Sequence, residues 1–378
     1  VLRLAMAAAV VYSHADPLRG LGREPTLFGT NIGTWAVIGF FVVSGALITR
    51  SRLSRTTWEY GRDRVLRIFP AFLWVTVLIA FVASPLSLLL NGGDRAWSWP
   101  SAITYVVTNL PLGGGFEFRQ DSVGTTLAGL PIEVWNGATW TLIYEALCYV
   151  AIAVVTAVVP RRLLVGTLCL AWLAMASVAQ VGMWITLPKM ATDLGTMGGA
   201  FCVGAIFWLE RDRVPAGGSA ATIAGIVFAS AALLGFPFSV APVALAIVIF
   251  YLSWRIPVDQ IGAHDLSYGV YVWGWPVQQL VMLTLGTSLW PAADLAVVLA
   301  ATTLLAWASA VVVEEPALRL KQPRSRGSAR SPGATSQSPS QRQDPKRAVP
   351  PPPDDDVEEP ARQRRPLQRP QPPQRKVD

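Results

Sequence analysis

Residues 216–254 read AGGSAATIAGIVFASAALLGFPFSVAPVALAIVIFYLSW, with no charged side chain anywhere in the stretch. The hydrocarbon layer of a bilayer takes about 20 helical residues, so this run is too long for one span. Gly235-Phe236-Pro237 supplies a turn that divides it into two. The same signature extends outward. The chain has 378 residues, of which 52% are hydrophobic and only 15% charged, with a mean hydropathy of +0.42. A soluble protein of this size could not bury that much apolar surface. Apolar segments recur at about 2–15, 33–49, 66–84, 139–159, 163–183, 194–209, 218–234, 238–254, 266–285 and 295–313. They predict an all-α, polytopic integral membrane protein with about ten transmembrane helices. The segment from Trp99 to Leu110 is apolar but short, and reads as an interfacial or re-entrant piece.

The loops test this count. With the N-terminus inside, the inner loops carry Arg50, Arg52, Arg55, Arg62, Arg64, Arg161, Arg162, Arg211, Arg213 and Arg255. The outer loops carry only Arg19, Arg23, Arg95, Arg119 and Lys189. That asymmetry follows the positive-inside rule and sets both termini in the cytoplasm of a cell that inserts the chain in its plasma, or inner, membrane. The first apolar segment holds Arg3 and His14 and lacks a cleavage-like end, so it reads as a span rather than a signal peptide. Residues 1–320 are expected to form the membrane domain. Residues 321–378, rich in Pro and Arg, are expected to form a disordered cytoplasmic tail. Cys148, Cys169 and Cys202 all fall in expected spans without metal-ligand spacing, so neither a metal nor a disulfide framework is expected. The net charge of +7 lies largely in short loops and the tail, which argues against a nucleic-acid partner.

Ionisable residues inside spans carry the functional signal. Arg3 and His14 are eleven positions apart, close to three turns, and share one face of the first helix. The bland alternative has Arg3 snorkelling to one surface and His14 packing near the other. Phe40-Phe41-Val42-Val43-Ser44-Gly45, taken alone, fits close helix packing. Arg64 and Arg67 stand three apart on one helix face, where guanidinium forks can bind a phosphate-rich cytosolic ligand. Glu145 is the one charge in its span and is expected in the outer half beside His14, where it could hold the imidazole in one tautomer. Ser267, Tyr268 and Tyr271, and the Glu314-Glu315-Pro316 turn, lie near inner helix ends and fit packing or capping.

Taken together, these elements resemble the acyltransferase 3 family of integral-membrane O-acyltransferases. Arg3 with His14 is similar to the family's Arg-x10-His pattern, and Phe40 to Gly45 to its Phe-Phe-x-x-Ser-Gly element. Arg64 to Arg67 with Pro70, Trp140 to Glu145, and Ser267-Tyr268 with Tyr271 resemble three further motifs. Gly274 stands where the family usually has His. The resemblance implies transfer of an acyl group, most often acetyl, from cytosolic acyl-CoA to a hydroxyl of a surface glycan, glycolipid or small molecule. It implies no tightly bound cofactor, with acyl-CoA as donor substrate. His14 would act as general base or transient acyl carrier, with Glu145 orienting it. Arg3, Arg64 and Arg67, with Ser44 and Tyr271 at similar depth, would hold the donor. A multi-span transporter or flippase for an envelope precursor is the competing reading, since a proton-coupled carrier also uses buried His and Glu.

Overall fold

A computed structural model describes residues 1–90, 95–112, 123–214, 217–255 and 265–320. The expected tail at 321–378 lies outside the described residues. Helix α1 (Leu2–Leu18) leads through a two-residue ladder, β1 (Thr26–Leu27) with β2 (Thr30–Asn31), into α2 (Ile32–Ser54). Then come α3 (Thr57–Leu78), α4 (Ser84–Leu90), α5 (Trp99–Asn109), α6 (Thr141–Val158), α7 (Arg161–Val181) and α8 (Lys189–Leu209). The series closes with α9 (Gly218–Leu233), α10 (Pro237–Arg255), α11 (Ser267–Leu285), α12 (Pro291–Ser309) and α13 (Glu315–Arg319). A π turn at Ile79–Ala83 joins α3 to α4, and another at Ala310–Glu314 joins α12 to α13.

The architecture is all-α and membrane-like. Six helices are long and apolar enough to cross a bilayer: Ile32–Ser54, Thr57–Leu90, Thr141–Val158, Arg161–Val181, Lys189–Leu209 and Pro291–Arg319. Two shorter apolar helices occupy Gly218–Leu233 and Pro237–Ser253. Between them Gly235 takes φ +84°, a left-handed turn that suits glycine, as the dividing motif predicts. The remaining two segments expected to span, α1 and α11, fall outside the long, apolar set. The first has 17 residues, and the second buries Gln278 and Gln279 along its length.

Small residues let the helices approach. A Cβ on Gly45 would collide with the Phe201 carbonyl oxygen, and one on Gly204 with that of Val42, so α2 and α8 pack backbone to backbone. A Cβ on Gly274 would come within 2.5 Å of Val11 Cγ2. Any side chain there, histidine included, meets the stiff β-branched wall of α1. The departure at this motif position is therefore a tight α1–α11 crossing. Helix α3 starts with a capping box, in which Thr56 Oγ1 accepts from the Glu59 amide and Glu59 Oε2 accepts from the Thr56 amide.

The irregular stretch before α6 is buried against α11 and depends on its side chains. Trp275 Nε1 donates to the Val134 carbonyl at 2.8 Å, and Gln279 Nε2 to Ile132 and Val134 at 2.7 Å. Asn136 Nδ2 returns a bond to the Val272 carbonyl at 2.9 Å. Non-helical backbone is tolerated within a bundle only when its polar groups are satisfied in this way. The short apolar segment expected at Trp99–Leu110 as an interfacial or re-entrant piece forms the helix α5, of 11 residues.

Candidate active site

Two cavities meet inside the bundle. The larger, about 340 Å³, is lined by His14, Glu24, Thr34, Trp140, Lys189 and Asp193 among others. The smaller is a cleft of about 40 Å³ lined by Arg3, Phe40, Ser44, Glu145, Ser267 and Tyr268. Val37, Thr141 and Tyr271 line both. Helix α1 runs past the two, with Arg3 at one and His14 at the other, as their shared helix face requires.

The partition is a hydrogen-bonded pair. Tyr271 Oη lies 2.5 Å from Thr141 Oγ1 and donates to the Ala138 carbonyl at 2.5 Å. A phenol has one proton, so the Thr141 hydroxyl supplies the other bond. Asn136 and Trp275 hold the adjoining irregular segment, which fixes Ala138 in place.

His14 does not pair with Glu145. Its Nδ1 lies 3.1 Å from Glu24 Oε1, while Ser13 Oγ donates to Glu24 Oε2 at 3.1 Å. The β1–β2 hairpin turns the chain back after α1, and Phe28 (φ +52°) and Gly29 (φ +75°) form its tip. That return brings Glu24 over the end of α1. Burial pushes the Glu24 carboxyl up, but the His14 contact and hydrogen bonds from Ser13 and Asn31 outweigh it and hold it below the usual carboxylate range. The imidazole and the Trp275 ring pack in a T-shaped arrangement, 4.8 Å between ring centroids. With Nδ1 turned to Glu24, Nε2 is left for the cavity that His14 lines.

Glu145 belongs to the smaller cleft. It accepts from Ser44 Oγ at 3.1 Å and from Tyr149 Oη at 2.5 Å. It sits one turn along α6 from Thr141, so the partition separates it from the histidine. Ser44 therefore faces the site, while the next residue, Gly45, makes the helix contact.

The arginines divide as well. Asp265 Oδ2 accepts from Arg3 Nη1 at 2.9 Å and from Arg67 Nη2 at 2.6 Å. The other carboxylate oxygen receives the Ser267 amide and hydroxyl at 3.2 and 2.6 Å, tying the clamp to the start of α11. Burial opposes ionisation of Asp265, but the two guanidinium groups and the Ser267 bonds hold its pKa at about 2. The Arg67 guanidinium also covers the Tyr268 ring at 5.8 Å. Arg64, expected alongside, points elsewhere: it lies over Tyr60 at 5.8 Å and Tyr149 at 5.7 Å and lines a groove between α3 and α6.

Glu24 and Asp265 escaped the sequence reading because both act from connections between helices. The wall opposite His14 escaped it too. There Lys189 Nζ lies 2.7 Å from Asp193 and 4.7 Å from the Trp140 ring centroid. Charges one turn apart at the start of a helix were its only visible signal.

Comparison with known proteins settles the class. Residues 1–311 match the acyltransferase 3 family, described as an acyltransferase domain. The chain is 26% identical over 316 residues to an O-acetyl transferase of Shigella phage Sf6, covering 80% of this chain and 90% of the relative. No solved structure matches. The match sets the transporter reading aside: an enzyme family spans nearly the whole of the described bundle. The chain belongs to the acyltransferase 3 family and is an acyltransferase.

Proposed function

We propose that the protein O-acylates a hydroxyl-bearing acceptor on the outer side of a cell's inner membrane, drawing the acyl group from cytosolic acyl-CoA. Acetyl is the group of choice, because the phage relative is an O-acetyl transferase. The bundle crosses the membrane about ten times with both termini inside, so that Arg3 and Arg67 face the cytosol. The observation that carries the reading is the pair of cavities meeting at Tyr271 and Thr141, with Arg3 on one side and His14 on the other.

Donor phosphates replace Asp265 at the Arg3–Arg67 clamp, where forked, charge-assisted hydrogen bonds recognise phosphate. The thioester arm enters the cleft past Ser44 and Glu145 and reaches the partition. The acceptor occupies the larger cavity, a glycan, glycolipid or small molecule with a free hydroxyl. His14 Nε2 takes the hydroxyl proton as the oxygen attacks the thioester carbonyl carbon. The tetrahedral intermediate collapses with cleavage of the C–S bond, and the coenzyme A thiolate leaves and recovers the proton. Glu24 keeps Nε2 unprotonated beforehand and stabilises the imidazolium formed during attack.

Sealed vesicles with one orientation of the protein test the sidedness. Labelled acetyl-CoA supplied at the arginine face should be consumed, and the same donor at the histidine face should not. Equal consumption from both faces would remove the through-bundle route.

A further inference from the structure

Arg64 was left facing a space the reaction does not use. The groove it lines, about 480 Å³, lies between α3 and α6, with Ile68, Phe69, Leu112, Ala146 and Ala153 among its walls. Its rim includes Val65, Val150 and Val154, each more than half exposed, so it opens sideways to lipid. From Tyr60 to Phe69 the α3 wall rises roughly 14 Å at 1.5 Å per residue. That length suits one acyl chain of a single leaflet, not a whole bilayer.

The head of the groove carries charge of one sign. Arg52 and Arg64 line it, and among the described residues that line it none is acidic. Tyr60 packs against both guanidinium groups, with Arg52 at 5.9 Å from its ring. Asp63, the nearest acid in sequence, is engaged by Arg55 and Arg62 instead. Among the described residues Arg64 has no carboxylate partner and its Nε is buried without a hydrogen-bond partner; the Arg52 Nε is unpartnered too, while its Nη1 and Nη2 donate to the Arg55 carbonyl and Thr57 Oγ1. A buried guanidinium N–H without an acceptor is costly unless a ligand supplies one. Arginine pairs above an apolar trough at a helix end suit an anionic lipid head group.

We infer that this groove binds an anionic phospholipid of the cytoplasmic leaflet, its phosphate on Arg64 and Arg52 and one acyl chain between α3 and α6. The site communicates with the reaction cleft. Tyr149 forms part of the groove wall and donates to Glu145, which accepts from Ser44 in the cleft. Bound lipid therefore fixes the Tyr149 ring and, through it, the carboxylate of the donor cleft.

The test uses the full chain in detergent, titrated with phosphatidylglycerol and, separately, with phosphatidylcholine, followed by native mass spectrometry. Wild type should retain phosphatidylglycerol at least about tenfold more tightly, the difference one charge-assisted contact supplies. Arg64→Gln should erase that preference. Gly61→Phe gives a variant whose side chain starts into open space, because a Cβ at Gly61 would meet no atom within 4 Å. It fills the groove and should lower binding of both lipids. Equal retention of the two lipids by wild type, or unchanged phosphatidylglycerol binding in folded Gly61→Phe, would overturn the assignment. Displacement of phosphatidylglycerol by long-chain acyl-CoA, but not by coenzyme A, would overturn it in favour of a donor-chain groove.

Discussion

Replacing Glu24 by Gln removes one charge and little volume, so the hairpin that carries it should survive. The His14–Glu24 contact is 3.1 Å, with 15% and 25% of the two side chains exposed. At an effective dielectric of about 20, a full imidazolium–carboxylate pair at that distance is worth roughly 5 kcal/mol. Partial exposure screens this to about 2–3 kcal/mol. In the proposed mechanism the histidine gains its charge during attack, so the loss falls on the transition state. The expected outcome is a drop in kcat of about 10²-fold, with the apparent KM for acetyl-CoA unchanged. The glutamine amide can also donate to Nδ1, which moves the imidazole proton to Nε2 and deepens the loss. Initial rates of label transfer in liposomes measure both constants. Glu145→Gln is the matched comparison, and its effect should fall on donor binding through Ser44 and Tyr149. A Glu24→Gln enzyme within about twofold of wild type, alongside an inactive His14→Ala, would refute the reasoning, since His14 would then need no partner in the hairpin.

Other outcomes follow from the same contacts. Arg67→Lys keeps the charge but loses the fork, and should raise the apparent KM for acetyl-CoA with little change in kcat. Asp265 has a folded pKa of about 2 against an ordinary 3.8. A depressed carboxylate contributes stability that is complete above its unfolded value and is lost as pH falls through the folded one. The Arg3–Asp265–Arg67 clamp should thus stabilise the protein fully above about pH 4 and weaken between about pH 4 and 2, with Asp265→Asn insensitive over that window in thermal unfolding. Gly45→Ala and Gly274→Ala should each cost about 1–3 kcal/mol by overpacking, read as a lowered unfolding temperature in detergent.

The sequence makes the apolar segments and the break at Gly235 legible because hydropathy and turn chemistry are local. Motif order makes the enzyme class legible as well. The partners of the motif residues are less legible. Glu24 reaches His14 only because a hairpin reverses the chain, and Asp265 reaches Arg3 across 262 positions. Arg64 and Arg67 share a helix face in projection, yet three residues leave them about 60° apart. In a crowded bundle that angle is enough to turn one toward α11 and the other toward α6. Glu145 was assigned to His14 by depth alone, and depth does not register the Tyr271–Thr141 pair between them. The buried segment before α6 looks like an ordinary loop, since its hydrogen bonds come from Trp275 and Gln279, more than a hundred positions away.

The most direct test of acyl transfer through His14 is a turnover measurement on purified protein in liposomes with radiolabelled acetyl-CoA. Wild type should consume the thioester, by transfer or by slow hydrolysis where no acceptor is supplied. His14→Ala should lose about 10²–10⁴-fold of that rate while inserting and folding normally. Undiminished turnover in folded His14→Ala would contradict the account, because the proton would then leave the acceptor by a route that does not include this histidine.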